Sequence, residues 1–120
     1  MTATTRAPLR QIAHGRSGDK GNHSNVAVIA YTPAGFEWLK VHLTAEVVAA
    51  YFAPLFPPGV AARVERFEAP NVLGLNFLLH DALAGGASRS LRTDTQGKSF
   101  AQALLDMEVE LPTALGAEGA

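Results

Sequence analysis

The stretch Val26-Ala27-Val28-Ile29-Ala30-Tyr31 decides the fold class, because it is a continuous apolar run rich in β-branched residues. Such a run predicts a strand buried in the centre of a sheet, and Thr32-Pro33 ends it. Residues 61–68 and residues 105–111 predict strands with one exposed side, the latter through strict alternation of apolar and polar residues. Residues 9–14 are a weaker strand candidate without clean alternation.

Helical patterns lie between these strand candidates. Residues 34–43 predict a short helix. Thr44 is the expected N-cap of a second helix, which Pro54 should end near Ala53. Residues 99–104 predict a further short helix before the last strand.

The segment 71–83 fits both templates, but the spacing of Leu75, Leu78 and Leu79 favours a helix. Because strands and helices are interspersed, the sequence predicts an α+β plait with three to five mostly antiparallel strands and helices packed on one face. There is no internal repeat or linker. We therefore expect a single domain over residues 9–112, with a flexible N-terminus at 1–8 and a flexible tail at 113–120.

Composition excludes several classes of protein. The 120 residues carry a net charge of −1, whereas proteins that bind nucleic acid through its phosphates have a basic surplus. The absence of cysteine excludes disulfides and thiolate sites. No secretory signal and no apolar run of roughly 20 residues is present. The expectation is a cytoplasmic protein that binds neither nucleic acid nor membrane.

The scarce polar residues are concentrated in two segments, the first of which is 16–25. Glycines at 15, 18 and 21 permit positive φ, so that successive amides can converge on an anion. Arg16 and Lys20 add positive charge, and Asp19 is a candidate proton acceptor. The alternative is a hairpin-like connection, in which Asp19 and Asn22 bond to turn amides and Lys20 is solvated.

The second polar segment, 85–94, follows a diglycine and places hydroxyls between Arg89 and Arg92. This composition suits phosphate or carboxylate binding. The alternative is a glycine-capped helix end followed by a polar loop. The sequence leaves open whether the two segments meet in one site.

Other catalytic constellations are missing from the sequence. His14 and His23 flank the first segment and could meet across it, but a metal site needs further ligands and Asp19 is the only acid nearby. Gly15-Arg16-Ser17-Gly18 is one residue short of a nucleophile elbow. No metal and no cofactor are therefore expected.

The two segments together resemble the signature of the AtuA-like small domain family, associated with acyclic terpene utilisation in bacteria. The resemblance runs from about residue 9 to residue 112 and rests on four groups of residues. These groups are Arg16 to Asn22 with Asn25 and the strand after it, Asn71 with Leu75-Asn76-Phe77, Gly85-Gly86 with Ser88 to Arg92, and Gln96-Gly97-Lys98. The resemblance implies a ferredoxin-like fold, in agreement with the plait.

The resemblance also implies a role as a small subunit or accessory domain beside a larger AtuA-type subunit. It points to a carboxylate or acyl-CoA substrate, since the family is linked to the breakdown of branched acyl chains. The expected site has Asp19 and Lys20 as catalytic residues. The expected ligand-binding residues are Arg16, Ser17, Gly18, Gly21, Asn22, Asn25, Asn76, Ser88, Arg89, Ser90 and Arg92. The alternative function is a free-standing homo-oligomeric module that binds an anionic metabolite without catalysis, and an independent enzyme is a third, less favoured hypothesis.

Overall fold

The computed structural model describes residues 3–20, 23–55, 62–80, 99–113 and 115, with the side chains of residues 19, 20, 23, 55 and 99 outside this description. Six strands and three helices are described: β1 Thr4–Pro8, β2 Ala13–Lys20, β3 His23–Ala30, α1 Pro33–His42, α2 Ala45–Phe52, β4 Val64–Ala69, β5 Gly74–Leu79, α3 Ser99–Leu105 and β6 Glu108–Pro112. Short 3-10 turns follow three of them, at Leu9–Gln11, Ala53–Leu55 and Pro70–Val72.

The main sheet has four strands in the order β2-β3-β5-β4, and every neighbouring pair is antiparallel. β3, which contains the apolar run at 26–30, lies in the interior of this sheet as predicted. β1 and β6 pair separately in an antiparallel ribbon. The predicted α+β architecture with mostly antiparallel strands is confirmed.

One face of the main sheet forms the hydrophobic core with the helices. Alternate residues of β3 and β5 are buried there, among them Val26, Val28, Phe77 and Leu79. α1, α2 and α3 contribute Leu39, Phe52 and Phe100 to the same buried cluster. Such alternation is what a sheet covered on one side requires, since successive side chains point to opposite faces.

The opposite face of this sheet, here the open face, carries exposed or half-buried residues. These residues are His14, Arg16, Gly18, Asn25, Ala27, Ile29, Glu65, Phe67, Ala69, Asn76 and Leu78, and the buried Gly74 lies on the same face between Ile29 and Ala69. The described helices pack on the other side of the sheet. The open face therefore combines regular strand geometry with accessible side chains.

Both long helices begin at threonine caps. The Oγ1 atom of Thr32 accepts a hydrogen bond from the amide of Gly35 at 3.0 Å, and that of Thr44 accepts from the amide of Val47 at 3.1 Å. Each cap satisfies an amide that has no partner inside the helix. The predicted N-cap at Thr44 is confirmed, and α2 ends at Phe52, just before Pro54.

The predicted helix over 71–83 is wrong for the described part of that segment. Residues 74–79 form β5, and residues 81–83 lie outside the described residues. β5 lies between β3 and β4, so both of its edges are hydrogen-bonded to neighbouring strands. The leucine spacing fits a helix equally well, and the long-range pairing decides the outcome.

Three other segments differ from expectation. The strand candidate at 9–14 begins with the 3-10 turn Leu9–Gln11, which buries Leu9, and β2 starts only at Ala13. The alternating segment at 105–111 is a strand only from Glu108, since Leu105 belongs to α3 and is buried. Residues 4–8, expected in a flexible N-terminus, form β1, whose Arg6 pairs with Glu108 and Glu110.

Tyr51 gives a prediction about alkaline stability. Its hydroxyl donates a hydrogen bond of 2.7 Å to the carbonyl of Ala103, joining α2 to α3. Burial, with a smaller contribution from the charge of Asp106, raises the pKa of Tyr51 above 10.0. Because the folded pKa exceeds the unfolded one, this contribution to stability is complete below about pH 10 and is lost as the pH rises through the folded value.

We expect Tyr51→Phe to lower the free energy of unfolding by about 1 kcal/mol at pH 7. The difference from the wild type should shrink above pH 10, as measured by urea unfolding at both pH values. Tyr31→Phe is the matched control, because the Tyr31 hydroxyl has no hydrogen bond within the described residues. A Tyr51→Phe deficit that stays the same at high pH would contradict the prediction.

Candidate functional site

The first polar segment is mostly strand, and β2 and β3 form an antiparallel hairpin through it. Gly15 and Gly18 adopt extended backbone within β2 without positive φ. The expectation that these two glycines turn their amides toward an anion is therefore wrong, and the hairpin alternative describes the backbone. Gly21 and Asn22, which connect the two strands, lie outside the described residues.

The strand register brings together three of the predicted ligand-binding residues. Arg16 pairs with Ala27, and Ala27 pairs with Asn76 on its other side, so the three positions form one row across β2, β3 and β5. Asn25 lies on the same face, two residues before Ala27. Neighbouring strands are about 4.8 Å apart, so the backbones of Arg16 and Asn76 are roughly 10 Å apart. Arg16, Asn25 and Asn76 are called the polar trio below.

The positions between the members of the polar trio hold small residues. Ala27, which lies between Arg16 and Asn76, has only a methyl group, and Gly18, which pairs with Asn25, has no side chain. A Cβ atom placed on Gly18 would find no other heavy atom within 4 Å. The surface between the three polar side chains is therefore open enough to admit a ligand group.

The side chains of the polar trio have no hydrogen bond or ion pair within the described residues 3–20, 23–55, 62–80, 99–113 and 115. Arg16 is exposed, while Asn25 and Asn76 are half-buried. A guanidinium can bind a carboxylate through two parallel hydrogen bonds, and amide groups add further donors. The arrangement is chemically suited to hold a carboxylate or another planar anion.

Ser17 and Asp19 occupy register positions that alternate with those of Arg16 and Gly18. The Oγ atom of Ser17 accepts a hydrogen bond of 3.2 Å from the amide of Ala101, near the start of α3. Ser17 is thus placed toward the helix layer, away from the polar trio. For Asp19 and Lys20 the structure describes only the backbone, which pairs with Ser24 and His23.

The second polar segment lies outside the described residues. This applies to Ser88, Arg89, Ser90 and Arg92, the four ligand-binding residues predicted there. The question of whether the two segments form one site therefore falls on residues outside the described geometry.

The histidines of the first segment are placed at opposite ends of the hairpin. His14 pairs with Ile29 and its ring stacks on Tyr31 at 5.3 Å between centroids, whereas His23 pairs with Lys20. The register therefore does not bring His14 and His23 together, which was one possibility that the sequence allowed. Over the described part of the chain, no group of three or more histidine and acidic side chains is arranged to hold a metal ion.

A cluster that the sequence did not indicate lies at the edge of the open face. The His80 ring contacts Arg63 Nη2 through Nδ1 at 3.0 Å and Glu65 Oε1 through Nε2 at 2.5 Å. A guanidinium only donates, so Nδ1 accepts and Nε2 carries the proton that it donates to Glu65. With both nitrogens engaged, His80 joins the end of β5 to β4. A helix over 71–83, as predicted from the sequence, does not give this contact, because the contact depends on the pairing of β4 with β5.

Among the described residues, no helix is both long and apolar enough to pass through a bilayer.

Of the comparisons with known proteins, the comparison with protein families gives a match. No curated protein and no solved structure matches the chain. The model of the AtuA ferredoxin-like domain family matches residues 7–110, which include all four strands of the main sheet and the polar trio. The chain therefore belongs to the AtuA ferredoxin-like domain family.

Proposed function

We propose that the chain is an accessory subunit of an AtuA-type system and that its open face binds the carboxylate group of a substrate. The observation that carries this proposal is the register of β2, β3 and β5, which places the three members of the polar trio around Ala27 and Gly18. Polar side chains that share one accessible face can fix the position and orientation of a bound ligand. The family supports the link to an AtuA-type system.

Each member of the polar trio has a distinct task in this proposal. Arg16 binds the carboxylate through its guanidinium, and the amides of Asn25 and Asn76 fix the orientation of the bound group. Lys20 shares the register face of Arg16 and Gly18 on β2 and is assigned to the same anionic group, whereas Asp19 occupies a position of the opposite face and has no part in this site. The larger subunit supplies the remaining chemistry and excludes water from a site that is open on this chain alone.

Arg16→Gln tests the binding site on the isolated chain. Octanoate titrated into the wild type should shift the backbone amide resonances of β2, β3 and β5, and Arg16→Gln should weaken this binding by about tenfold or more. Arg10→Gln is the matched control, since Arg10 is an exposed arginine paired with Asp106. Equal dissociation constants for the wild type and Arg16→Gln would exclude the polar trio as the carboxylate site.

The accessory role needs a second measurement with the partner. We expect the chain to co-purify with a larger AtuA-type subunit and to be required for turnover by the complex. Complexes that contain the wild type or Arg16→Gln should then differ in KM. Equal KM and kcat values would leave the open face without a part in the reaction.

A second candidate is a homo-oligomeric module that binds an anionic metabolite without catalysis. The observation in its favour is that Phe67, Tyr31 and Val72, on or beside the open face, are each about half exposed, at 50–53%. Sedimentation of the wild type and Phe67→Ser separates the two functions. A dimer that Phe67→Ser dissociates would favour the oligomeric module.

A further inference from the structure

An apolar strip adjoins the polar trio on the open face. It comprises Ile29, Tyr31, Phe67 and Val72, three of which are 50–53% exposed. Phe67 pairs with Asn76 of the polar trio, and Ile29 follows Ala27 by two residues on the same face. The strip therefore begins where the polar trio ends.

Gly74 brings two side chains of the apolar strip together. It pairs with Ile29, and a Cβ atom on Gly74 would lie 3.4 Å from both Ile29 Cγ1 and Val72 Cγ2. Because Gly74 has no side chain, these two aliphatic groups flank the same point of the surface. Tyr31, stacked on His14, extends the strip beyond the end of β3.

Along β3 the open face changes from Asn25 at one end to Ile29 and Tyr31 at the other, with Leu78 beside Asn25 and His14 beside Ile29. Asn25 and Ile29 are four residues apart, which corresponds to about 13 Å of strand. The side chains change from amide and guanidinium to aliphatic and aromatic over this distance. A ligand that matches the face needs the same order of groups: an anion followed by an aliphatic chain.

We infer that the ligand of the open face is an amphipathic carboxylate whose aliphatic chain runs along β3 from the polar trio toward Ile29 and Tyr31. This inference rests on the proposed function, because it takes the polar trio as the carboxylate site. It adds the direction of the ligand and the residues that select for a chain over a short carboxylate.

The size of the apolar strip favours a ligand chain over a second copy of the protein. Its four side chains offer on the order of a few hundred Å² of exposed apolar surface. A stable protein interface covers about 800 Å² on each partner. An aliphatic chain of medium length can be covered by a strip of this size.

The dependence of affinity on chain length tests the inference. Linear carboxylates from acetate to decanoate, kept below their micelle concentrations, should bind the wild type up to about fourfold more tightly per added methylene. The gain in affinity per methylene should end once the aliphatic chain of the ligand extends beyond Tyr31. Phe67→Ser and Ile29→Ser should flatten this dependence and leave acetate binding unchanged. Val41→Ser is the matched control, since Val41 is 69% exposed on α1.

The possible results separate this inference from the proposed function. If acetate and octanoate bind equally and both depend on Arg16, the inference is wrong while the carboxylate site stands. If neither binds, both are wrong. If octanoyl-CoA binds and octanoate does not, the anion at Arg16 is a phosphate and the assigned direction is wrong. If Phe67→Ser dissociates a dimer without changing the chain-length dependence, the strip is a subunit interface and the inference is overturned.

Discussion

Gly15→Ala is expected to lower the free energy of unfolding by about 3 kcal/mol, the upper end of the range for overpacking. A Cβ atom on Gly15 would lie 2.3 Å from the carbonyl oxygen of Ala27. That oxygen is backbone, and it belongs to the strand beside β2. The clash can therefore be relieved only by moving the two strands apart, which disrupts the pairing of β2 with β3.

Gly18→Ala is the matched control, three residues along the same strand. Its Cβ atom would meet nothing within 4 Å, and its backbone is extended. Replacing such a glycine should raise the free energy of unfolding by about 0.5 kcal/mol, because the unfolded chain loses conformational freedom. Urea unfolding of both variants measures the contrast, and similar free energies for the two would show that the close approach at Gly15 does not constrain the strand.

Arg66→Met is expected to lower the free energy of unfolding by about 2–3 kcal/mol. Arg66 Nη1 donates to the carbonyl oxygens of Lys40 and Leu43 at 2.9 and 3.0 Å, and its Nη2 pairs with Glu68. The guanidinium thus joins β4 to the end of α1, where a positive charge also interacts favourably with the helix dipole. Methionine keeps most of the aliphatic packing but removes the donors, and so isolates the polar contribution.

Arg6→Met is the control for Arg66→Met. Arg6 also pairs with carboxylates, those of Glu108 and Glu110, but its side chain is 62% exposed against 21% for Arg66. Exposed ion pairs contribute little because water and salt screen them, so we expect a loss of at most about 0.5 kcal/mol. Thermal unfolding of the two variants in low and high salt provides the comparison. Equal losses would mean that the two carbonyl contacts of Arg66 add nothing to an ordinary surface pair.

Local signals predicted the elements that depend on local chemistry. Thr44 and Pro54 fix the ends of α2 through a side-chain cap and a missing amide, and both effects act within one helical turn. The run at 26–30 predicted an interior strand, because a continuous apolar segment with three β-branched residues is typical of one. The family resemblance likewise rested on residues that the family model matches.

The remaining parts depended on contacts between distant residues. The leucines at 75, 78 and 79 satisfy a helical period, and only pairing with β3 and β4 makes their segment a strand. The same error concealed the site, because Asn76 shares a row with Ala27 and Arg16 only when 74–79 is extended. Arg16, Asn25 and Asn76 were predicted as ligand residues, but their common face follows from the register of three strands. The apolar strip was missed for the same reason.

The β1–β6 ribbon has a consequence for how this domain can be joined to other chains. The amide of Thr113 donates a hydrogen bond of 3.0 Å to the carbonyl of Ala3, and Thr4 pairs with Pro112. The incoming and outgoing ends of the folded unit therefore lie side by side. A host protein could accept the unit within a surface loop without spreading the loop apart, since its two junctions would be separated by about one strand spacing. The ribbon thus makes the domain suited to insertion as well as to attachment at one end.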